Sequence, residues 1–325
     1  MAQPTASDVH VNAPLTNISI AYIQEAQNFI ADRVFPMVPV QKQSDRYFAY
    51  DRGDFFRVEA QERAPATQSA GSGFDIDNTP TYYAKLYAVH KDVDDQVRAN
   101  ADAPINMDRD STIFVTQQCL LKREKVWADN YFTTGVWDTD QTGVAAAPGA
   151  NQFLQWDQTG STPIEDVTNQ GVQIAQLTGY KPNVLVLSPF VFNVLRNHPN
   201  VTDRIKYTQR AVVTTDILAG LFEVDRVLVP WGVINTAAEG ATDSFSFIYG
   251  KSALLVYANP RPSIMQPSGG YIFAWTGLLG AGAYGNRIKR FRMEELAADR
   301  IEGEIAFDAK LIAPALGKFF ASAVG

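Results

Sequence analysis

The residue types that most often carry metal or acid–base chemistry are sparse in this sequence. Its three histidines, His10, His90 and His198, are far apart, and the chain has neither a CxxC pair nor an HExxH motif. Protein zinc sites need Cys and His ligands at short, fixed spacings. We therefore expect no zinc site, and we interpret the histidines as structural residues with satisfied hydrogen bonds.

A glycine-rich stretch is the strongest candidate for nucleotide chemistry. Residues Gly280 to Gly285 match G-x-G-x-x-G and follow a predicted strand. In a dinucleotide site this motif opens a helix whose N-terminus meets the pyrophosphate. Here residues 286–292 alternate between basic and apolar types, which predicts a strand. We interpret the stretch as a turn, and a nucleotide-binding α/β enzyme remains a minor alternative.

Two other matches to binding motifs are incomplete. The tripeptide Gly-Lys-Ser at 250–252 resembles the end of a phosphate-binding loop, but Phe245 stands where the first glycine is needed. The acidic cluster at residues 92–95 lacks the glycine and the final glutamate of a calcium loop. The sequence therefore predicts no catalytic residue, no cofactor and no metal.

One local concentration of positive charge remains, on Arg287, Lys289, Arg290 and Arg292. Glutamates follow at 294 and 295, so ion pairing within or between subunits is the main interpretation. The alternative is contact with nucleic acid inside a container.

Composition indicates a folded protein. The chain has 325 residues, 46% of them hydrophobic, which is enough for one large or two ordinary domains. The formal net charge is −7, so the cationic excess that tight nucleic-acid binding requires is missing. A wall around DNA is still compatible with this charge.

Several features indicate where the protein assembles. Cys119 is the single cysteine, so no intrachain disulfide can form, and a reducing compartment is favoured. The first residues lack the basic and apolar regions of a signal peptide, and no apolar run is long enough to cross a bilayer. We expect cytosolic assembly and no membrane partner.

The N-terminal third contains segments that exceed the needs of one globular core. An extended arm is predicted to about Thr16, then an amphipathic helix from Asn17 to Val34 that Pro36 ends. Two β-rich arms, Asp45–Val58 and Ile76–Val93, flank a turn-prone stretch and predict a long hairpin. Its arms are rich in aromatic residues, whose rings need an apolar surface to pack against. That surface could belong to a neighbouring subunit or to the hairpin's own domain.

The remaining chain alternates helices and strands. A helix from about Asp108 to Thr134 would span roughly 40 Å, with charged residues 122–125 on its solvated side. The stretch Thr142–Ala150 is predicted as a loop. An α/β pattern then begins at Pro163, with Gly179 ending the first helix. Further predicted elements are the strand 184–187, the helices 189–197 and 215–221, and strands near 226–229, 245–249, 254–257, 271–275 and 301–312.

Eight segments, in order, resemble one known family. They are residues 30–40, 51–57, 62–67, 97–102, 187–189, 196–199, 257–262 and 269–275. Together they are similar to the major capsid proteins of tailed bacteriophages, which have the Johnson fold first seen in the Hong Kong phage. No single segment is decisive, but their order is specific.

The resemblance implies an α+β fold divided into five parts. These are an N-terminal arm (1–44), an extended β-hairpin loop (45–93), a spine helix with the peripheral domain (94–160), an axial domain (161–270) and a C-terminal return to the peripheral domain (271–325).

The resemblance also implies a structural function. The hairpin would lie across a neighbouring subunit, and hexamers and pentamers would close into an icosahedral shell around double-stranded DNA, without sequence-specific binding. The shell would be the virion capsid, assembled in the host cytoplasm. Residues predicted at contacts between subunits are Phe55, Phe56, Arg57, Arg63, Tyr82, Tyr83, Arg290 and Arg292.

The chain departs from some family members in two respects. Some members link a loop lysine covalently to a neighbour's asparagine, but no lysine occurs between Asp45 and Ala84, so we expect non-covalent contacts. Some members carry a long cleaved scaffolding region, whereas here the arm motif comes within the first forty residues. A separate scaffolding protein is therefore an expected partner, with a portal and, as an option, a decoration protein. An encapsulin-like nanocompartment with an enzyme cargo is the main alternative.

Overall fold

The computed structural model describes residues 24–101, 105–206, 213–261, 266–279 and 286–325. The helices in these ranges are α1 (Ala31–Val34), α2 (Arg52–Phe55), α3 (Asp95–Ala99), α4 (Met107–Tyr131), α5 (Pro163–Thr178), α6 (Pro189–Asn197), α7 (Pro199–Ile205), α8 (Thr215–Leu221) and α9 (Thr276–Leu279). Short 3-10 helices cover Ala26–Asn28, Glu294–Leu296 and Pro314–Leu316.

The strands range in length from 2 to 14 residues. They are β1 (Met37–Val40), β2 (Ser44–Arg46), β3 (Ala49–Tyr50), β4 (Ile76–Asp77), β5 (Thr81–Tyr83), β6 (Lys85–Asp94), β7 (Gln141–Val144), β8 (Gln152–Leu154), β9 (Val184–Leu187), β10 (Arg226–Leu228), β11 (Val233–Asn235), β12 (Phe245–Phe247), β13 (Ala253–Val256), β14 (Gly270–Trp275), β15 (Asn286–Met293), β16 (Ala298–Leu311) and β17 (Gly317–Ala321).

The first sheet is built around the long strand β16. Its strand order is β1-β14-β16-β15, and β6 pairs with the other side of β16 from Phe307 to Ala298. Helix α4 packs across this sheet. A Cβ at Gly303 would lie 2.3 Å from Cγ1 of Val115, so the absent side chain at Gly303 lets helix and strand approach closely. We call this sheet and α4 the first unit.

The second sheet has the order β10-β9-β13-β17-β7-β8. Strands β9 and β13 are buried along their whole length, as expected for strands covered on both faces. Helix α5 begins with Pro163 at its first turn and ends at Gly179, whose φ of 73° suits the left-handed C-cap. We call this sheet, α5–α8 and the β11–β12 hairpin the second unit.

Two hydrophobic cores share the second sheet. Alternate residues such as Val184 and Val186 face the core that contains Trp127 of α4, whereas Leu185 and Leu187 face the core beneath α5 and α6. This is the period-two alternation of a strand buried on both sides. One core therefore joins the two units, and the other belongs to the second unit.

Most elements predicted downstream of residue 100 are confirmed. The long helix runs over Met107–Tyr131, the helices over 163–178, 189–197 and 215–221 lie where expected, and residues 286–293 form a strand. The predicted loop Thr142–Ala150 is wrong at its start, because Gln141–Val144 forms β7 in the second sheet. Glycine at 143 suggests a loop, but here it admits the backbone of Ser322, whose O would be 2.2 Å from a Cβ.

The helix predicted over Asn17–Val34 is also wrong where the structure describes it. Residues 24–34 contain only a 3-10 turn and α1, with an extended Phe29 between them. The backbone N–H groups of Ile30 and Ala31 donate to the side chain of Glu124 and not to helical carbonyls. The extended arm predicted to Thr16, and Gly280–Gly285, lie outside the described residues.

The long hairpin is interrupted. Its arms pair only as β2 with β5 and β3 with β4, and α2 replaces the strand predicted to reach Val58. The other predicted arm divides at Ala84, because Lys85–Asp94 pairs with β16 in the first sheet. Sheet membership also puts β7, β8 and β17 in the second unit, whereas the predicted parts 94–160 and 271–325 assign them to the peripheral domain. The five-part division itself stays a prediction.

Candidate assembly surface

The base of the hairpin is anchored to its own subunit. We define the loop as residues 44–84. In its base, Tyr82 and Tyr47 stack on Phe273 of β14, with ring centroids 4.6 Å and 5.6 Å away. Tyr82 is only 6% exposed. The loop therefore leaves the first sheet from a fixed position, and Tyr82, a predicted contact residue, is buried within its own chain.

The tip of the loop has only a small aromatic cluster of its own. The rings of Tyr50, Phe55 and Phe74 contact one another, with centroids 5.4 to 6.0 Å apart. Asp51 accepts a hydrogen bond from the N–H of Gly53 at 2.8 Å and so begins α2. Three rings cannot exclude water from one another, and Phe55 and Phe74 remain about half exposed.

The loop exposes more large apolar side chains than its own contacts can bury. Those exposed within it are Phe48, Phe55, Phe56, Val58, Phe74, Ile76 and Tyr83. A concentration of large exposed apolar side chains in one segment is typical of a site of association. The predicted contact residues Phe55, Phe56 and Tyr83 are thus placed on an accessible surface.

One tip residue touches the chain's own second unit. A Cβ at Gly179, the C-cap of α5, would lie 3.4 Å from Cζ of Phe56. Phe56 is nevertheless 55% exposed. Packing on the hairpin's own domain therefore holds for the rings at its base, which lie on the first sheet. Most rings at the tip have no such cover in the described chain, so a neighbouring subunit remains the alternative for them.

The predicted arginines have partners within the chain. Arg57 lies 3.4 Å from Asp54, and the Arg63 side chain donates to the carbonyl of Thr67. Arg290 and Arg292 lie farther away on β15 and do not meet the loop arginines. The structure therefore groups the predicted contact residues at two separate places.

The basic strip on β15 forms an ion-pair network. Arg292 binds both carboxylate oxygens of Asp95, at 2.8 and 2.6 Å, and Arg290 lies 2.7 Å from Asp299. Arg287 and Lys289 both pair with Glu304. The hydrogen bond from Arg292 holds the pKa of Asp95 below its usual value. The main interpretation of this strip is ion pairing within or between subunits: pairing within the subunit is confirmed, and pairing between subunits stays a prediction.

A buried serine–histidine pair has the wrong hydrogen-bond pattern for catalysis. Ser161 Oγ lies 2.9 Å from Nε2 of His198, while Nδ1 of His198 accepts the N–H of Asn200 at 3.1 Å. In a neutral ring the proton is therefore on Nε2, so the histidine donates to the serine and cannot take its proton. His198 is structural, as predicted.

The described ranges contain neither a metal-binding cluster nor a membrane-spanning helix. Within them, no group of three or more His, Cys, Asp or Glu side chains could hold a metal ion. No helix in those same ranges is both long and apolar enough to span a bilayer.

Sequence reasoning missed one residue, Glu124. The run of charged residues 122–125 predicts a solvated position for it, but Glu124 is fully buried. Its position, four residues after Leu120 and three before Trp127, is the signal, because it belongs to the apolar face.

Comparison with known proteins gives two informative sequence relatives, while no family model matches. The chain is 25% identical over 324 residues to the major capsid protein of Pseudomonas phage JBD67, covering 97% of each chain. It is 23% identical over 270 residues to that of Burkholderia phage BcepMu, covering 80% of this chain and 82% of the relative. Both relatives are major capsid proteins, and their similarity to this chain extends over most of its length.

Solved structures agree on the fold. A phage-related protein from Bordetella bronchiseptica has a TM-score of 0.68 at 24% identity, covering 93% of each chain. The capsid of cyanophage P-SCSP1u gives 0.60 at 9% identity, covering 97% of this chain and 93% of that one. The SrpI encapsulin of Synechococcus elongatus gives 0.53 at 10% identity, covering 99% and 96%. The predicted α+β capsid fold is confirmed. The sequence relatives, as major capsid proteins, also support the predicted location in the virion capsid.

Proposed function

We propose that this capsid protein assembles through hexamers and pentamers into a closed icosahedral shell around double-stranded DNA, held by non-covalent contacts of the loop with a neighbouring copy. The observation that supports this most is the contrast within the loop: its base is fixed to the first sheet, while its tip exposes most of its large apolar side chains. A fixed base with an uncovered tip suits a contact with another molecule.

The favourable free energy of this contact would come from burying the apolar side chains of the tip away from water. Burial of apolar surface contributes about 25 cal/mol per Å², and aromatic rings dominate the energetics of most interfaces. The absence of lysine between Asp45 and Ala84 supports contacts that are non-covalent. Closed point symmetry would repeat the same contact around every ring of subunits.

Further parts of the proposal concern partners. A separate scaffolding protein, a portal and, as an option, a decoration protein complete the assembly in the host cytoplasm. The DNA is enclosed without sequence-specific binding, in keeping with a net charge of −7 and with basic side chains on β15 that are already paired. The role is structural, and the absence of catalytic activity stays a prediction.

An encapsulin-like compartment is the second candidate, because an encapsulin shares the fold over nearly the whole chain. The sequence relatives favour the phage capsid, since both are named major capsid proteins. The contents of purified particles separate the two: nuclease-protected DNA supports the capsid, and a single protein cargo supports the compartment.

The loop contact is tested by deleting residues 61–73. We expect a folded, soluble subunit that forms no shells, because the deleted stretch is exposed and contributes little to either core. Circular dichroism and thermal melting report the fold, and electron microscopy reports assembly. Normal shells from this variant would contradict the proposal.

Two point variants make the test more specific. Phe74→Ser removes an exposed ring from the tip, whereas Val172→Ser removes an exposed apolar side chain from α5. Both should melt like the parent protein. Only Phe74→Ser should reduce the yield of shells, and equal losses in both variants would show that the tip has no special role.

A further inference from the structure

A short segment before β1 lies between the two units. We define the strap as residues 24–35. Its side chains Ile30, Ala31, Val34 and Phe35 are at most 1% exposed and belong to the core that joins the units. The Phe35 ring meets Trp127 of α4 edge to face, with centroids 5.4 Å apart. The second half of the strap is therefore largely buried between the two units, while residues 25–27 are exposed.

The fully buried carboxylate of Glu124 holds the strap to α4. It accepts hydrogen bonds from the N–H of Ile30 at 2.7 Å and of Ala31 at 2.9 Å. The hydroxyl of Tyr249 in the second unit donates to the same carboxylate. Three donors from two different parts of the chain thus converge on one side chain of α4. Burial raises the pKa of Glu124, and its three hydrogen bonds oppose that shift.

Other polar contacts tie the strap to the first unit. Arg123 of α4 lies 3.2 Å from Asp32, and the side-chain oxygen of Gln117 accepts the N–H of Gln24 at 3.2 Å. Three side chains of α4, those of Gln117, Arg123 and Glu124, therefore contact the strap within about two helical turns.

A matching set ties the strap to the second unit. The Gln24 amide donates to the carbonyl of Val233 at 2.7 Å and accepts its N–H at 2.8 Å, as a neighbouring strand would. Arg226 of β10 donates to the carbonyl of Arg33 at 2.8 Å. The strap is thus tied to both units by polar contacts at Gln24 and over residues 30–33.

We propose that the strap and Glu124 form a joint that fixes the angle between the two units, and that in the shell this joint sets the curvature at which subunits meet. The second clause rests on the proposed function. A close-packed core and a fully hydrogen-bonded carboxylate resist gradual bending, so the intact joint should hold one angle between the units. If the hydrogen bonds of Glu124 are lost, several angles should become accessible.

Substitution by glutamine separates charge and hydrogen bonding from shape. In Glu124→Gln the amide nitrogen is a donor, so it would face another donor wherever it is placed among Ile30, Ala31 and Tyr249. A buried donor without an acceptor is costly. The strap should therefore separate from α4 while the side-chain volume is nearly unchanged.

Hydrogen exchange on the purified full-length subunit measures the joint directly. In Glu124→Gln we expect the peptide containing the amides of residues 30 and 31 to exchange about tenfold faster or more, with the amides of α4 little changed. Asp129→Asn, which removes an exposed carboxylate of the same helix paired with Lys125, should leave the strap unchanged. Unchanged exchange at 30 and 31 would overturn the joint.

Tyr249→Phe keeps the test valid if Glu124→Gln does not fold. It removes one donor and leaves the two backbone hydrogen bonds, so a smaller acceleration at the same amides is expected. No acceleration in a folded Tyr249→Phe variant, together with a Glu124→Gln variant that does not fold, would assign Glu124 to general stability and overturn the joint.

Particle size tests curvature. We expect Glu124→Gln to give shells of several diameters, where the parent protein and Asp129→Asn give one. If the strap is released but the shells remain uniform, the proposal that the joint sets shell curvature is wrong, while the joint itself is still supported. If the parent protein forms no shells, the proposed function fails, and the exchange result still decides the joint.

Discussion

The strap and the loop are neighbours in sequence, and both contain only short helices and strands, yet they differ in how they bury their apolar residues. The strap buries Ile30 and Phe35 completely between α4 and the second sheet. The loop leaves Phe48 and Phe74 more than half exposed. The buried side chains of the strap are covered by their own chain, whereas most large apolar side chains of the loop are not, as the proposed contact with a neighbouring copy requires.

Hydrogen bonding follows the same division. Both backbone donors at the start of α1 are satisfied by a carboxylate from a distant helix, 93 and 94 residues away in sequence. Side-chain hydrogen bonds at the loop tip are local, as in the Asp51 cap, apart from the one in which Asp54 accepts the N–H of Asp75. A segment with long-range buried partners contributes to the subunit's stability, and one with local exposed partners contributes little.

The largest expected effect on subunit stability is at the strap. Phe35→Ala removes a fully buried ring that packs against Trp127 and Trp137, and should lower the free energy of unfolding by about 3–5 kcal/mol. Denaturant unfolding of the unassembled subunit measures it. The matched control Phe48→Ala, at a 61% exposed ring of the loop, should change the same free energy by about 0.5 kcal/mol or less. Similar losses at both positions would remove the contrast between strap and loop.

A smaller effect, confined to one range of pH, is expected at the β15 network. Arg292 lowers the pKa of Asp95 from its ordinary 3.8, so this pair stabilises the fold above about pH 4, and the contribution is lost as the pH falls through the lowered value. Arg292→Gln should therefore reduce the melting temperature slightly and evenly near neutral pH, with the difference from the parent shrinking in more acidic buffer. A difference that grows with acidification would contradict this assignment.

The sequence predicted the second unit well, because its helices carry their own boundaries. Pro163 and Gly179 mark the ends of α5, and the apolar run at 184–187 needs no distant partner to be recognised as a buried strand. Order along the chain also made the resemblance to the capsid family visible before any geometry.

The strap and the loop were harder to predict, because their structures depend on residues far away. The helix expected up to Val34 is broken where Ile30 and Ala31 turn their donors to Glu124. Strand Lys85–Asp94 joins β16 and not the hairpin, a choice between partners that local propensity cannot make. Tyr82 and Phe74 are both loop aromatics in the sequence, and only the position of Phe273 distinguishes the buried ring from the exposed one.

Electron microscopy of the purified, overexpressed protein tests the central claim most directly. The claim that the loop tip is completed by a neighbouring copy predicts closed shells of uniform size, with the tip of each loop resting on an adjacent subunit. A protein that remains monomeric or dimeric at every concentration, with the tip still exposed, would contradict it.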